Sequence, residues 1–272
     1  MDRADVPVLT PHLLRGWPLP EAQEGDDKQA RGTVLVLGGD ATTPGSVLLA
    51  GLAALRVGAG RLQIATAPET AAAVGVAAPE AKVMGVALGE LGDVALDPVA
   101  AVLVGPGLLS PEETAPVLAR LLGRLDGLPI VVDAVALLAL DGALPSAGVL
   151  TPNLDELRAL AGSDGDDRAL AVQVARERRA VVATLGWVAA ADGRLWRNEA
   201  GSVALATSGS GDVLAGVVAG LLARGADACQ AACWATYLHS AAGDRLAETL
   251  GTGFLARELL DVLPLELVAL AS

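Results

Sequence analysis

The run Ala206-Thr207-Ser208-Gly209-Ser210-Gly211-Asp212 sets small residues, bare backbone and one carboxylate directly before an apolar stretch, residues 213–222. Two glycines leave backbone N–H groups unshielded, and a helix starting there adds the positive end of its dipole. Such a place holds an anion, most often a phosphate. Asp212 would repel that anion, so binding alone gives no reason for it. A carboxylate beside a phosphate suits a general base that acts on a hydroxyl next to a phosphoryl group. The same residues also have a plainer use. Asp is favoured in any first helical turn, and Gly-Ser-Gly is common turn composition. No lysine follows the glycines, so the loop is not of the Walker A type, and the glycine spacing excludes a dinucleotide fingerprint.

The elements that must position this loop alternate. Thr33-Val34-Leu35-Val36-Leu37 is a continuously apolar, branched run, as a buried parallel strand requires. Gly38-Gly39-Asp40 ends it, and Pro44-Gly45 introduces a helix over 46–57. Further strands are expected at 61–66, 101–104, 129–132, 148–150 and 180–184, and helices at 111–122, 155–161 and 167–178. Asp192-Gly193 joins 187–191 to 194–197 as a hairpin. Three helices follow, at 211–223, 227–247 and 254–263. Strands alternating with helices give an α/β fold: a mostly parallel sheet covered on both faces, with an antiparallel hairpin at one edge. Gly38-Gly39-Asp40, Gly105-Pro106-Gly107, Asp133, Asn153 and Thr184 all follow carboxyl ends of strands, where open α/β sheets bind ligands.

Apolar residues make up 53% of the 272, yet aromatics only 2%, so Ala, Val and Leu must build the core. The formal net charge of −13 argues against nucleic acid as a partner. Cys229 and Cys233 stand four apart in a helical stretch, a poor geometry for a disulfide, and are expected as small core residues. The start is charged and no apolar run is free of Gly or charge, so neither a signal peptide nor a membrane span is expected, and the default location is the cytoplasm. Residues 1–27 are expected as an N-terminal extension, surface-packed or partly loose, and 28–272 as one domain. His239 on an apolar helix is expected as a hydrogen-bonded core histidine, and His12 as solvated. Trp187 and Trp196 flank the hairpin and are expected to pack on each other or on the sheet edge, with stacking on an adenine as the other use. Asp133 has two uses open to it, capping the next helix or meeting a ligand.

Spread over residues 28–264, a set of motifs resembles the ADP-dependent NAD(P)H-hydrate dehydratases of the ribokinase-like superfamily. The carrying residues are Lys28-Gln29-Ala30-Arg31-Gly32, Gly38-Gly39, Pro44-Gly45-Ser46 and Leu55-Arg56-Val57-Gly58-Ala59-Gly60. Val104-Gly105-Pro106-Gly107-Leu108, Val132-Asp133-Ala134 and Leu150-Thr151-Pro152 with Glu156 continue it. The C-terminal set is Asn198, Gly201, Ala206-Thr207, Gly209-Ser210-Gly211-Asp212 and Tyr237-Leu238-His239. The resemblance implies a three-layer αβα fold. It also implies repair of hydrated nicotinamide cofactors: the S-form of NADH or NADPH hydrate is phosphorylated on its ring hydroxyl at the expense of ADP or ATP, and elimination restores the double bond. Asp212 would be the base at that hydroxyl. Thr184, Leu185, Gly186, Trp187, Val188, Gly209, Ser210 and Gly211 would hold the adenine nucleotide. Ser46, Gly105, Gly107, Asn153 and Asp212 would meet the hydrate. Mg²⁺ would accompany the nucleotide, with Glu156 a candidate ligand. The resemblance further implies a homo-oligomer, a tetramer in relatives, and a separate NAD(P)H-hydrate epimerase working alongside.

The chain departs from the family pattern at several places. The usual Lys-Gly pair is lost around Thr184-Leu185-Gly186, with Thr184 near the lysine's place. Asn153 stands where the family has His, Asn198-Glu199-Ala200-Gly201-Ser202 replaces Asn-Pro-Thr-Gly-Asn, and Ser208 replaces a glycine. Two other functions stay open: a thiamine-precursor type kinase of the same superfamily, and a nucleotide-binding protein of weak activity.

Overall fold

A computed structural model describes residues 5–20, 31–145 and 147–271. Lys28, Gln29 and Ala30, and the acidic stretch Glu24-Gly25-Asp26-Asp27, lie outside the described residues. The strands are β1 Thr33–Leu37, β2 Arg61–Thr66, β3 Ala81–Gly85, β4 Ala101–Val104, β5 Ile130–Val132, β6 Gly148–Leu150, β7 Val181–Ala183, β8 Trp187–Ala189 and β9 Leu195–Arg197. The helices are α1 Pro11–Arg15, α2 Gly45–Arg56, α3 Pro68–Ala77, α4 Pro111–Leu122, α5 Val135–Leu138, α6 Leu154–Ala161, α7 Asp167–Arg178, α8 Ser210–Ala223, α9 Ala228–Leu250 and α10 Ala256–Ala271.

The nine strands form one sheet in the order β3-β2-β1-β4-β5-β6-β7-β8-β9. Pairing is parallel through β7 and antiparallel from β7 to β9, as the sequence pattern predicts. Alternate residues feed opposite faces. Val34 and Val36 join the core shared with α2, α8, α9 and α10, while Leu35 and Leu37 join the core under α4 to α7. Burial on both faces explains the continuously apolar strands. The sheet and its two helical layers are the αβα sandwich that the resemblance implies.

Side-chain caps begin several helices. Ser110 accepts from the Glu113 N–H at α4, Asp166 from Ala169 at α7, and Asp227 from Cys229 and Gln230 at α9. The sequence reading places no element between residues 66 and 101, yet α3 and β3 stand there. The Ala- and Gly-rich α3 carries almost no apolar stripe, burying only Val74, and β3 is a half-exposed edge strand. Neither shows the periodicity that reveals an element.

The described part of the N-terminal segment is tied to the body. Leu9, Leu14 and Leu19 sit in the larger core, and the Leu9 N–H donates to the Arg197 carbonyl at 2.8 Å. Trp17 stacks on Trp196 with ring centroids 6.0 Å apart, and the Arg194 guanidinium lies over Trp196. The partner of Trp196 is therefore Trp17, far away in sequence, and not Trp187. Cys229 and Cys233 are free and buried, as expected.

Candidate active site

β1 lies between β2 and β4, so the chain reverses its direction of sheet growth there. The loops after β1 and β4 meet at that point. The Gly39 N–H donates to the Pro106 carbonyl and the Asp40 N–H to the Gly107 carbonyl, each at 2.8 Å. Gly105 and Gly107 take φ of +122° and +70°. A Cβ on Gly105 would stand 1.9 Å from the Asp133 carbonyl oxygen, and one on Gly107 2.6 Å from that of Thr43. The two glycines therefore let protein backbone pack against protein backbone, and neither is on the wall of the main cavity.

That cavity, of about 660 Å³, opens beyond the carboxyl ends of β5, β6 and β7. Asp133 follows β5, Thr151 follows β6, Asn153 and Glu156 begin α6, and the turn from Thr184 to Trp187 follows β7. The N-terminus of α8, from Gly209 to Asp212, closes the remaining side. The sheet thus collects residues from four separate segments at one edge.

The α8 start has the geometry of an anion site. Gly209 is the N-cap residue at φ +88°, and a Cβ there would lie 2.5 Å from Leu49 Cδ1. The positive φ calls for glycine, while the Leu49 side chain could swing aside from a Cβ. Gly211 is exposed, with nothing within 4 Å of its Cβ position, so its backbone is open to a ligand. Ser210 is held from behind. His239 Nε2 stands 3.0 Å from the Ser210 carbonyl and 3.0 Å from its hydroxyl. A carbonyl only accepts, so Nε2 carries the imidazole hydrogen. Burial pushes the His239 pKa down to about 4, and the ring is neutral at ordinary pH. His239 is the hydrogen-bonded core histidine that its setting predicts, acting as a buttress of the loop.

Five acidic residues line the cavity, and three of them, Asp133, Glu156 and Asp212, have raised pKa values. Burial pushes the Asp212 pKa up to about 6, the nearby Ser46 hydroxyl opposes this, and the charge of Glu156 adds to it. Burial also raises Asp133 well above the usual carboxylate range. The Thr151 and Ala134 hydrogen bonds oppose the shift, and Asp212 and Glu156 reinforce it. Thr151 Oγ1 donates to Asp133 Oδ1 at 2.7 Å. Asp133 does not use its side chain to cap α5, whose N-cap residue is Ala134. Glu156 is raised by burial and is tied into a capping box: its Oε2 accepts from the Asn153 N–H at 2.9 Å, and Asn153 Oδ1 accepts from the Asp155 and Glu156 N–H groups. The amide of Asn153 keeps its Nδ2 donors for a ligand.

The segment after β7 is placed with equal clarity. Thr184 is buried, and its hydroxyl accepts from the Trp187 N–H at 3.0 Å and donates to the Trp187 carbonyl at 3.1 Å. Thr184 therefore closes the turn and offers no free hydroxyl to a nucleotide. Leu185, 46% exposed, and Gly186 form the tip of the turn, and Trp187 lies on the cavity wall. Val188 is fully buried in the larger core and lies outside the wall. Ser46 is not on the cavity wall and bears on the site through Asp212, whose charge it favours. Asn198 fixes the far side of the turn, its Nδ2 sharing two hydrogens among the Leu185 carbonyl at 2.8 Å, the Ala200 carbonyl at 2.9 Å and Ser240 Oγ at 2.9 Å. A cavity of about 240 Å³ lies between this turn and residues 198–202. Among the described residues no three His, Cys, Asp or Glu side chains form a metal-binding group.

The NAD(P)H-hydrate dehydratase family model matches residues 34–265. An ADP-dependent (S)-NAD(P)H-hydrate dehydratase of Xanthomonas campestris is 44% identical, covering 93% of this chain and 93% of that protein. A bifunctional NAD(P)H-hydrate repair enzyme of Moorella thermoacetica is 36% identical over 90% of this chain, which spans 51% of its length. The crystal structure of the ADP/ATP-dependent NAD(P)H-hydrate dehydratase from Bacillus subtilis, co-crystallized with ATP and Mg²⁺, superposes with a TM-score of 0.90. The identity there is 30%, over 98% of this chain and 99% of the other. The architecture is ribokinase-like. By the extent of the family match and the identity along nearly the whole of its length, the chain belongs to the NAD(P)H-hydrate dehydratase family.

Proposed function

We propose that this chain dehydrates the S-form of NADH or NADPH hydrate, with ADP converted to AMP and phosphate. The observation that carries the proposal is Asp212. It is a carboxylate with a pKa pushed up to about 6, in the first turn of a glycine-opened helix at the end of a 660 Å³ cavity.

A ring hydroxyl leaves poorly as hydroxide and well as phosphate. Asp212 takes the hydroxyl proton as that oxygen attacks the terminal phosphoryl group, the bond from that phosphorus to the nucleotide's bridging oxygen breaks, and AMP departs. The ring carbon then releases phosphate, and the neighbouring carbon loses a proton to restore the double bond. The N–H groups at Gly209 and Gly211 would face the phosphates and stabilise charge on them with fixed dipoles, whereas the Ser210 N–H is taken by the Thr207 carbonyl at 3.2 Å and supports the loop from within. The open Gly211 backbone fits that task. Mg²⁺ would screen the phosphate charge. With no three-ligand group among the described residues, it fits as a companion of the nucleotide's own oxygens, with Glu156 the nearby carboxylate. The turn at Leu185, Gly186 and Trp187 would border the nucleotide. Asn153 would offer its amide donors to the hydrate in place of a histidine, while Ser46 would aim Asp212.

A hydrate formed without an enzyme is a mixture of epimers at the new centre, so a separate epimerase supplying the S-form belongs to the same proposal, as do a cytoplasmic setting and a homotetramer. No described helix is long and apolar enough to cross a membrane. Light scattering reads the assembly. The activity test is recovery of reduced-nicotinamide absorbance from NADH hydrate with ADP and Mg²⁺. Wild type restoring it, and Asp212→Asn slower by about 10²–10⁴-fold, is the expected result. ATP-dependent phosphorylation of a thiamine precursor without hydrate turnover would refute it.

A further inference from the structure

Asp133 is the most buried of the carboxyls on the main cavity, 4% exposed, and the phosphoryl transfer makes no use of it. Its backbone is clamped on both sides. Gly105, at φ +122°, comes so close that any Cβ would strike the Asp133 carbonyl oxygen. Ala134 adopts φ +50° and ψ −133°, a region that L residues avoid at a cost of about 1–3 kcal/mol. Thr151 fixes one carboxyl oxygen at 2.7 Å. The side chain does not cap α5, and an uncharged residue would fill the same space without the cost of burying a carboxyl near two others. A clamped, strained, buried polar group on a cavity wall is what a preorganised ligand contact requires.

We propose that Asp133 is a further substrate-binding residue, a hydrogen-bond donor to the carboxamide oxygen of the hydrated nicotinamide ring. This rests on the proposed function, because that oxygen is the uncharged carbonyl acceptor of such a ring. Burial, with Asp212 of α8 and Glu156 of α6 facing it, raises the Asp133 pKa well above the usual carboxylate range and so favours the protonated form, which has a hydrogen to give. Thr151 donates to Oδ1, which leaves the carboxyl's own hydrogen on the other oxygen, so the two bonds do not compete. Asp212 takes a proton during the reaction; Asp133 gives a hydrogen bond and keeps its proton.

The test compares kcat and KM for NADH hydrate in wild type, Asp133→Asn and Asp133→Leu, with ADP binding and thermal melting measured on each. Asn retains a donor and Leu removes it at similar volume. The expected result is a KM raised about tenfold or more in Asp133→Leu, with kcat changed far less, and a KM within about threefold of wild type in Asp133→Asn. A purely structural role would lower kcat and melting temperature without this split, and would overturn the proposal. So would Asp133→Asn losing kcat as Asp212→Asn does, which makes Asp133 a proton acceptor. Should Asp133→Leu fail to fold, Asp133→Asn decides alone: KM within about threefold and kcat retained support the proposal, and any larger change overturns it. Wild type that fails to turn over the hydrate refutes the proposed function itself, a result distinct from each of these.

Discussion

The Ser46 side chain in the first turn of α2 faces the Asp212 carboxylate in the first turn of α8 and favours its charge, so two helix N-termini converge on one carboxylate. Burial and the charge of Glu156 disfavour the ionised form, Ser46 favours it, and the balance stands at about 6. Asp212 must be ionised to take a proton. Activity is therefore present above that pKa and falls as pH drops through it, by about tenfold per unit well below it. Ser46→Ala removes the hydroxyl that favours the charge and moves the acid limb of kcat/KM to higher pH. Glu156→Gln removes a like charge and moves it to lower pH. Full pH profiles of the three proteins check this, and limbs that coincide would place the titrating group elsewhere.

The convergence depends on how closely α2 and α8 lie. A Cβ on Gly216 would stand 2.1 Å from the Ala50 carbonyl oxygen, and one on Gly220 2.6 Å from that of Ala54. Both obstacles are backbone, which no rotamer change can clear. Gly216→Ala is expected to destabilise the fold by about 2 kcal/mol or more, read as a lower denaturant midpoint. Gly211→Ala is the contrast. Its Cβ position is empty, and Ala favours a helix over Gly by about 0.5–1 kcal/mol, so stability holds or rises. The added methyl covers the exposed amides, so ADP binding weakens.

Much of this architecture is legible in the chain. The apolar runs of β1 and β4 to β7, the Asp192-Gly193 hairpin and the glycines of the α8 loop all signal through local rules of burial and backbone conformation. The elements that escape are those without a local signal, the Ala-rich α3 and the edge strand β3. The site is legible as a set of strand ends. Its internal wiring is not, because the deciding contacts join residues far apart in sequence. Thr184 has the hydroxyl of a phosphate ligand, but the turn it closes takes that hydroxyl away. Val188 stands beside Trp187 in sequence and on the opposite face of a strand in space, so one lines the cavity and the other the core. Asp133 could have been a cap by sequence alone, and it is the backbone of Ala134 that begins α5 instead.

His239 supplies the last prediction. Its ring is fully buried with a pKa of about 4, against 6.5 for an ordinary histidine, because burial disfavours the charged form. The unfolded chain therefore binds a proton near pH 6.5 that the folded chain refuses until about 4. The sign follows from linkage: the stabilising contribution is complete above 6.5 and is lost as pH falls to 4. Its size is about 3 kcal/mol at 1.36 kcal/mol per pH unit. Asp133 and Asp212 carry raised pKa values and act in the opposite sense, losing stability as pH rises, so the total curve mixes these contributions. His239→Gln isolates one of them. Glutamine keeps an N–H for the Ser210 carbonyl and does not titrate. Urea unfolding free energies measured through this window should fall more steeply for wild type than for His239→Gln. Parallel curves would mean that the acid loss comes from other groups, and that the neutral imidazole serves only to hold Ser210 in place.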